Sequence, residues 1–246
     1  MPTATAVIRA LGPIDAKSVM RDSMLRWLIG MPIVLALLFR WGVPVLRVLL
    51  VERYGFDLAT YYPLLVSFLV LMVPTLMGAV VGFLLLDQRD DRTLAALQVT
   101  PLTVEGYLLY RIAVPMVVSV GMMMAMIAIT GLVTMGVVPA LIASVQAAPV
   151  APLYALFVGA FASNKVQGFA LLKAAGILAW PPVLAYFVSS QWQVAFGIDP
   201  LYWPVKVFWM LESGETGVWL YFLIGFSYQL LLGAILLRRF RAVISR

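Results

Sequence analysis

Six separate apolar runs, each long enough to cross a lipid bilayer, dominate what this chain can fold into. A spanning helix needs about 20 mainly apolar residues. Segments at roughly 27–50, 61–86, 107–131, 137–162, 171–190 and 218–237 meet that length. Composition agrees, since 63% of the residues are hydrophobic and 11% charged, against about half and a quarter in soluble domains. The fold expected is one all-α polytopic membrane domain over 1–246 with six transmembrane helices. The longest polar stretches, the N-terminal 26 residues and the connection at about 191–217, are too short to hide a catalytic domain.

The N-terminal stretch carries Asp15, Asp22 and Pro13 where a signal peptide would need a continuous apolar core, so it reads as retained. Val7, Leu11 and Ile14 follow helical spacing, which predicts an amphipathic helix lying on the membrane before the first span; the alternative is a frayed polar tail. Cysteine and histidine are absent. That excludes thiol nucleophiles, disulfides, imidazole bases, a Ser-His protease site and the commonest zinc, copper and haem ligands.

Lys and Arg in short flanks set orientation. With the N-terminus inside, 13 of the 17 bases fall on the inner side, and only Arg40, Arg47, Arg53 and Lys206 on the outer. Both termini are therefore expected in the cytosol. The net charge of +6 reads as a topology signal and not as a nucleic-acid surface, because the bases sit at span ends.

That orientation gives the stretch LLLDQRDDRTLAALQVTPLT, residues 84–103, a cytosolic address between spans two and three. Five of the six residues from Asp87 to Arg92 are charged. A solvated turn is the bland reading. Against it, Leu94 and Leu97 share one face of a helix-favouring segment that Pro101 stops. Asp87, Arg89, Asp90, Asp91 and Arg92 carry a net negative charge, which points to a protein partner over anionic lipid.

These residues resemble the type-2 ABC transporter permease family, whose members carry a charged cluster after the second span, a Thr-Leu step, a leucine-rich turn and a Pro-Leu-Ser/Thr ending. Here the pattern reads Asp90-Asp91-Arg92-Thr93-Leu94-Ala95-Ala96-Leu97, then Thr100-Pro101-Leu102-Thr103. It departs at Arg92, usually Gly, and at Ala95, usually an acid. NKVQGFALLK, Asn164 to Lys173, resembles the family's second cytosolic loop, singling out Asn164 and Lys165. DPLYWPVKVFW, from Asp199, resembles its Asn-Pro-Leu-Tyr region, with Asp199 in place of Asn. Within the family the first stretch is most similar to small permeases for fluoroquinolone or multidrug export.

The resemblance implies a coupling helix at 87–101 that docks on a separate ATPase subunit. It also implies a second permease chain, identical or not, and a multi-pass location in a bacterial cell membrane. No G-x-x-x-x-G-K-[ST] motif occurs, so this chain is read as a transport subunit and not an enzyme, with no cofactor of its own; ATP and magnesium belong to the partner. Few intramembrane charges suit a hydrophobic or amphipathic cargo. The rival readings are an anchoring or assembly protein without transport, and a lipid transferase holding magnesium on Asp87, Asp90 and Asp91.

Several residues within the spans carry two readings each. Arg40 lies 13 residues past Trp27, roughly 20 Å along a helix, which favours snorkelling over lining a path. Gly78 and Gly82 form a G-x-x-x-G pair that serves either internal packing or a dimer contact. The run GMMMAMIAIT reads as packing or lipid-facing surface before a ligand surface. Pro32, Pro74, Pro115, Pro149, Pro152, Pro181 and Pro182 should kink or interrupt helices. Trp192, Tyr202, Trp203 and Trp209 read as an interfacial aromatic belt, in a loop that the resemblance folds into short helices capping the exit.

Overall fold

The computed structural model describes residues 4–90, 104–188 and 191–244, and every regular element among them is helical. The N-terminal segment is an ordered helix, α1 (Ala4–Arg21), even across Pro13. Leu11 buries its side chain against Tyr107, Leu108 and Tyr110, which fixes α1 to the bundle. Asp22 separates it from α2 (Ser23–Tyr54): its carboxylate accepts from the amides of Met24 and Leu25, at 2.9 and 3.3 Å, satisfying two donors that a helix start leaves open. Gly55, at φ 66°, closes the other end in the left-handed conformation that a glycine adopts without strain.

A 3₁₀ turn (Leu58–Tyr61) leads into α3 (Tyr62–Asp90), and α4 (Val104–Thr130) follows. The fourth apolar run is two helices, α5 (Val137–Ala147) and α6 (Val150–Phe161), parted at Ala148 and Pro149. Proline has no amide to continue the ladder, and the break falls there. The fifth run divides likewise into α7 (Lys165–Ala175), a 3₁₀ turn (Gly176–Ala179) and α8 (Trp180–Tyr186). Pro181 and Pro182 sit in the first turn of α8, where a missing amide is harmless. Pro32, Pro74 and Pro115 lie inside unbroken helices. A 3₁₀ segment (Gln191–Ile198), α9 (Tyr202–Ser213) and α10 (Val218–Ile244) complete the described chain.

Six stretches are long and apolar enough to cross a membrane: Ser23–Tyr54, Leu58–Arg89, Gly106–Thr130, Val137–Phe161, Lys165–Tyr186 and Val218–Val243. The second and fourth form the buried centre, whereas the first and last present most of their surface outward. Gly78 and Gly82 explain the central contact. A Cβ at Gly78 would lie 2.6 Å from Tyr154 Cβ, and one at Gly82 would lie 2.9 Å from Val158 Cβ, so the G-x-x-x-G pair seats α6 within the same chain. Met123 and Met126 are fully buried in the main core, which makes the methionine run packing surface.

Two expectations need correction. The fifth span starts at Lys165 and ends at Tyr186, not at 171–190. Asn164 accepts from the Gln167 amide at 2.9 Å and starts a helix six residues earlier than hydropathy alone indicates. The aromatic belt is also mostly turned inward. Trp192 is exposed, but Tyr202, Trp203 and Trp209 are buried, because α9 packs into the bundle against α3, α5 and α10. Trp209 Nε1 donates to Ser67 Oγ at 3.1 Å and Trp203 Nε1 to the Gly197 carbonyl at 2.9 Å, which satisfies both indoles away from water.

Candidate functional site

Two groups of ionic contacts that bind separate elements together meet at one end of the bundle. Phe240, near the end of α10, shares a core cluster with Leu11, Leu85 and Tyr107, so α1, the end of α3, the start of α4 and the C-terminal turns of α10 meet there. Helix α3 runs on past its apolar residues through Asp90, since the charged residues are adequate helix formers and no breaker intervenes. Its last turns therefore project Asp87 and Arg89 as helical side chains.

Lys165 stands between two carboxylates, with Nζ 3.0 Å from Asp87 Oδ2 and 3.2 Å from Asp22 Oδ2. One ammonium thus ties the start of α2, the end of α3 and the start of α7. Each pair is partly exposed and contributes about 1 kcal/mol or less, so its importance is geometric. Burial pushes the Asp22 carboxyl up, but Lys165 and the amides of Leu25 and Met24 outweigh it and hold it below the usual carboxylate value. Beside this clasp, Arg89 Nη2 donates to the Ser163 carbonyl at 3.3 Å. Gln167 Oε1 accepts from the Ser163 amide at 2.9 Å, locking the turn that Asn164 caps.

The structure thus brings Asp87 and Arg89 together with Asn164 and Lys165. Asp90 is described only as the last residue of α3, and Asp91, Arg92, Thr93, Leu94, Leu97 and Pro101 lie outside the described residues. Arg40 is elsewhere, at the far end of α4. Its Nη1 donates to the Ile129 carbonyl at 2.8 Å, where the negative end of that helix favours a cation. Asp87 is engaged by Lys165, which disfavours the magnesium reading.

A second ion pair at the same end is one the sequence reading passes over. Arg111, only 3% exposed, donates from Nη1 to Asp15 Oδ2 at 2.7 Å and from Nη2 to Asp15 Oδ1 at 3.0 Å. Tyr110 donates to Asp15 at 2.9 Å, and the guanidinium lies 5.2 Å from the Tyr107 ring centre. Tyr107 in turn donates to Gln88 Oε1. Arg111 enters the sequence argument only as a topology charge. The available signal was its place inside the third apolar run, where an ionised side chain needs a partner.

Away from this end, Asp199 occupies the connection between Tyr186 and Val218. Its Oδ1 accepts from the Leu201 amide at 2.9 Å, while Oδ2 is buried with no partner among the described residues. Burial raises the carboxyl from 3.8 to about 6, against the opposing Leu201 bond. The folded chain therefore binds a proton between these values that the unfolded chain releases. Stability is full below about 3.8, falls as pH rises and levels above about 6, a loss on the order of 3 kcal/mol. Asp199→Asn should raise the unfolding midpoint in detergent at pH 7.5 and flatten its dependence between about pH 4 and 6. An unchanged slope would assign the dependence to another group.

The family model described as fluoroquinolones export permease protein Rv2686c-like matches residues 15–237 of this chain. Two relatives are the fluoroquinolones export permease proteins MT2760 of Mycobacterium tuberculosis strain CDC 1551 / Oshkosh and Rv2686c of strain ATCC 25618 / H37Rv. Each is 38% identical over 239 residues, covering 96% of this chain and 94% of its own. No solved structure matches the chain.

Proposed function

This chain belongs to the Rv2686c-like fluoroquinolones export permease family, and on that premise we propose that it is the membrane-crossing subunit of a bacterial ABC exporter of amphipathic drugs. Fluoroquinolones, named in the relatives' titles, are the first cargo to test. Energy comes from ATP and magnesium on a separate ATPase subunit, and a second permease chain completes the path. Both termini face the cytosol, where the ATPase is.

The observation that carries the coupling reading is the clasp at the end of α3. A segment that transmits force needs a rigid root. Asp87 and Arg89, at the last turns before residues 91–103, are bound to the start of α7, and through Lys165 to the start of α2. Helix α4 begins directly after that segment, at Val104. A push on 91–103 is thus delivered to the roots of the first, second, third and fifth spans together. Leu94 and Leu97 supply the apolar ridge for a groove in the ATPase, and the neighbouring charges set register and on-rate more than affinity.

Purification of the tagged chain in mild detergent should bring down a Walker-motif ATPase in stoichiometric amount. With Leu94→Asp and Leu97→Asp together, that ATPase should fall at least tenfold while the chain keeps its unfolding midpoint. An ATPase retained at full stoichiometry by the double variant would refute the docking role; a chain purified with no ATPase at all would favour the anchoring reading.

A further inference from the structure

A groove of about 370 Å³ lies between α2, α3, α6 and α7. Helix α3 lines it from Phe68 to Phe83, a stretch of roughly 22 Å at about 1.5 Å per residue; the hydrocarbon of one leaflet is about 15 Å deep. Phe83 precedes Asp87 by one turn and Phe169 follows Lys165 by one, and their rings, 4.8 Å apart, close the groove just inside the clasp. Two hydroxyls border it, and both are turned onto backbone: Thr75 donates to the Met72 carbonyl at 2.8 Å and Tyr154 to the Ala175 carbonyl at 3.4 Å. The remaining walls are apolar. Phe68, Phe169 and Gly176 are exposed, so the groove is open along its side at the surface of the bundle.

Lys173 is the charged residue on this wall. It is exposed, no acid lines the groove with it, and it has no hydrogen bond or ion pair among the described residues. It lies eight residues past Lys165, inside the fifth membrane-crossing stretch, which is roughly 12 Å along the helix. Cβ atoms tilt toward a helix's N-terminus, so this side chain leans back toward the clasp end. Its length then brings the ammonium to the level of that leaflet's phosphates, while the stem stays among the apolar walls. An ammonium in such a place is costly until an anion meets it.

We infer that the groove holds one acyl chain of an anionic membrane lipid, whose phosphate pairs with Lys173. A groove with apolar walls and an open side takes a chain that is already in the bilayer, and no polar group has to be buried for it to enter. A basic side chain between spans at headgroup level adds attraction for an anionic phosphate. A zwitterionic lipid brings its own cation to the same place, which offsets that attraction. Selection for net negative charge therefore rests on Lys173, and retention of the chain rests on the shape of the groove. The two can be removed one at a time.

The purified full chain, delipidated in mild detergent, is titrated with equal mixtures of dioleoylphosphatidylglycerol and dioleoylphosphatidylcholine, and native mass spectrometry counts the lipids it keeps. The first lipid retained should be phosphatidylglycerol, by at least fivefold. Lys173→Gln should abolish that preference and Lys173→Arg should keep it. Gly176→Leu, on the groove at a position where an added Cβ meets nothing within 4 Å, should lower retention at least fivefold by filling the space. Lys17→Gln, which removes an exposed cation of α1 away from the groove, should leave both quantities unchanged. Equal retention of the two lipids by the unsubstituted chain overturns the inference, as does a preference that survives Lys173→Gln. Undiminished retention by Gly176→Leu overturns the groove as the place where the chain lies. Displacement of the lipid by an equimolar fluoroquinolone would make this a cargo site; it overturns the lipid assignment and leaves the export reading standing.

Discussion

Gly78→Leu should remove most folded chain from a detergent extract, and what survives should unfold at a much lower temperature. The reason is distance. A Cβ at 78 falls 2.6 Å from Tyr154 Cβ and also meets the Ala151 carbonyl, a backbone atom that cannot step aside without moving α6. Leucine adds three more carbons in the same direction. Because α3 and α6 are the buried centre of the bundle, separating them opens contacts all along both helices. Overpacking of a well-filled core costs about 1–3 kcal/mol where side chains can repack, and here the obstacle includes backbone, so a loss of at least about 3 kcal/mol is expected. Gly78→Ala should lie between. Gly121→Leu, where nothing stands within 4 Å, should be close to neutral. If Gly78→Leu leaves the chain folded and instead dissociates a dimer, the pair packs between chains and the internal contact is wrong.

The spacing of Gly78 and Gly82 announces a close helix approach but not its partner, because small residues every four positions serve internal and external contacts alike. The six spans were legible for a plainer reason: hydropathy over about 20 residues measures the same transfer free energy that puts a helix in lipid. Interruptions were legible only where proline removes an amide at a boundary, as at Pro149. Pro32, Pro74 and Pro115 show that the same residue is carried inside a helix when its neighbours hold it.

What the aromatic pattern misread was α9. Trp192, Tyr202, Trp203 and Trp209 look like an interface, since aromatic rings with a polar atom prefer the headgroup region. In α9 the indoles find protein partners instead, Ser67 for Trp209 and the Gly197 carbonyl for Trp203, and Lys206 meets the Tyr221 ring and Glu215, while the buried Tyr202 hydroxyl has no hydrogen-bond partner among the described residues. Ser67 lies in α3, far away in sequence, and local pattern around Trp209 carries no trace of it. The clasp was half legible on the same grounds. Asp87, Arg89, Asn164 and Lys165 were marked by a resemblance in two separate loops, but that one ammonium would join them to Asp22 depends on three helix ends meeting.

Removing Asp15 should cost far more than removing any other carboxylate in an ion pair of the described chain. Arg111 is 3% exposed, so Asp15→Ala leaves a guanidinium buried without its counter-ion, a loss of roughly 3–5 kcal/mol. The contrast is Asp57, whose pair with Arg47 at 2.7 Å is about half exposed; Asp57→Ala should leave the unfolding midpoint close to that of the unsubstituted chain. Equal distance with unequal burial isolates desolvation as the cause. The paired replacement sharpens this: Asp15→Leu with Arg111→Met removes both charges and keeps apolar bulk, and should recover most of the stability that Asp15→Ala loses. Unfolding midpoints of the single and paired variants give the coupling directly, and a paired variant no better than Asp15→Ala would show that the two residues act through packing alone. Recovery of stability without recovery of export would carry a further consequence. The pair would then be dispensable for holding α1 to α4 yet required for transport, so its charges and not its bulk would serve the transport cycle.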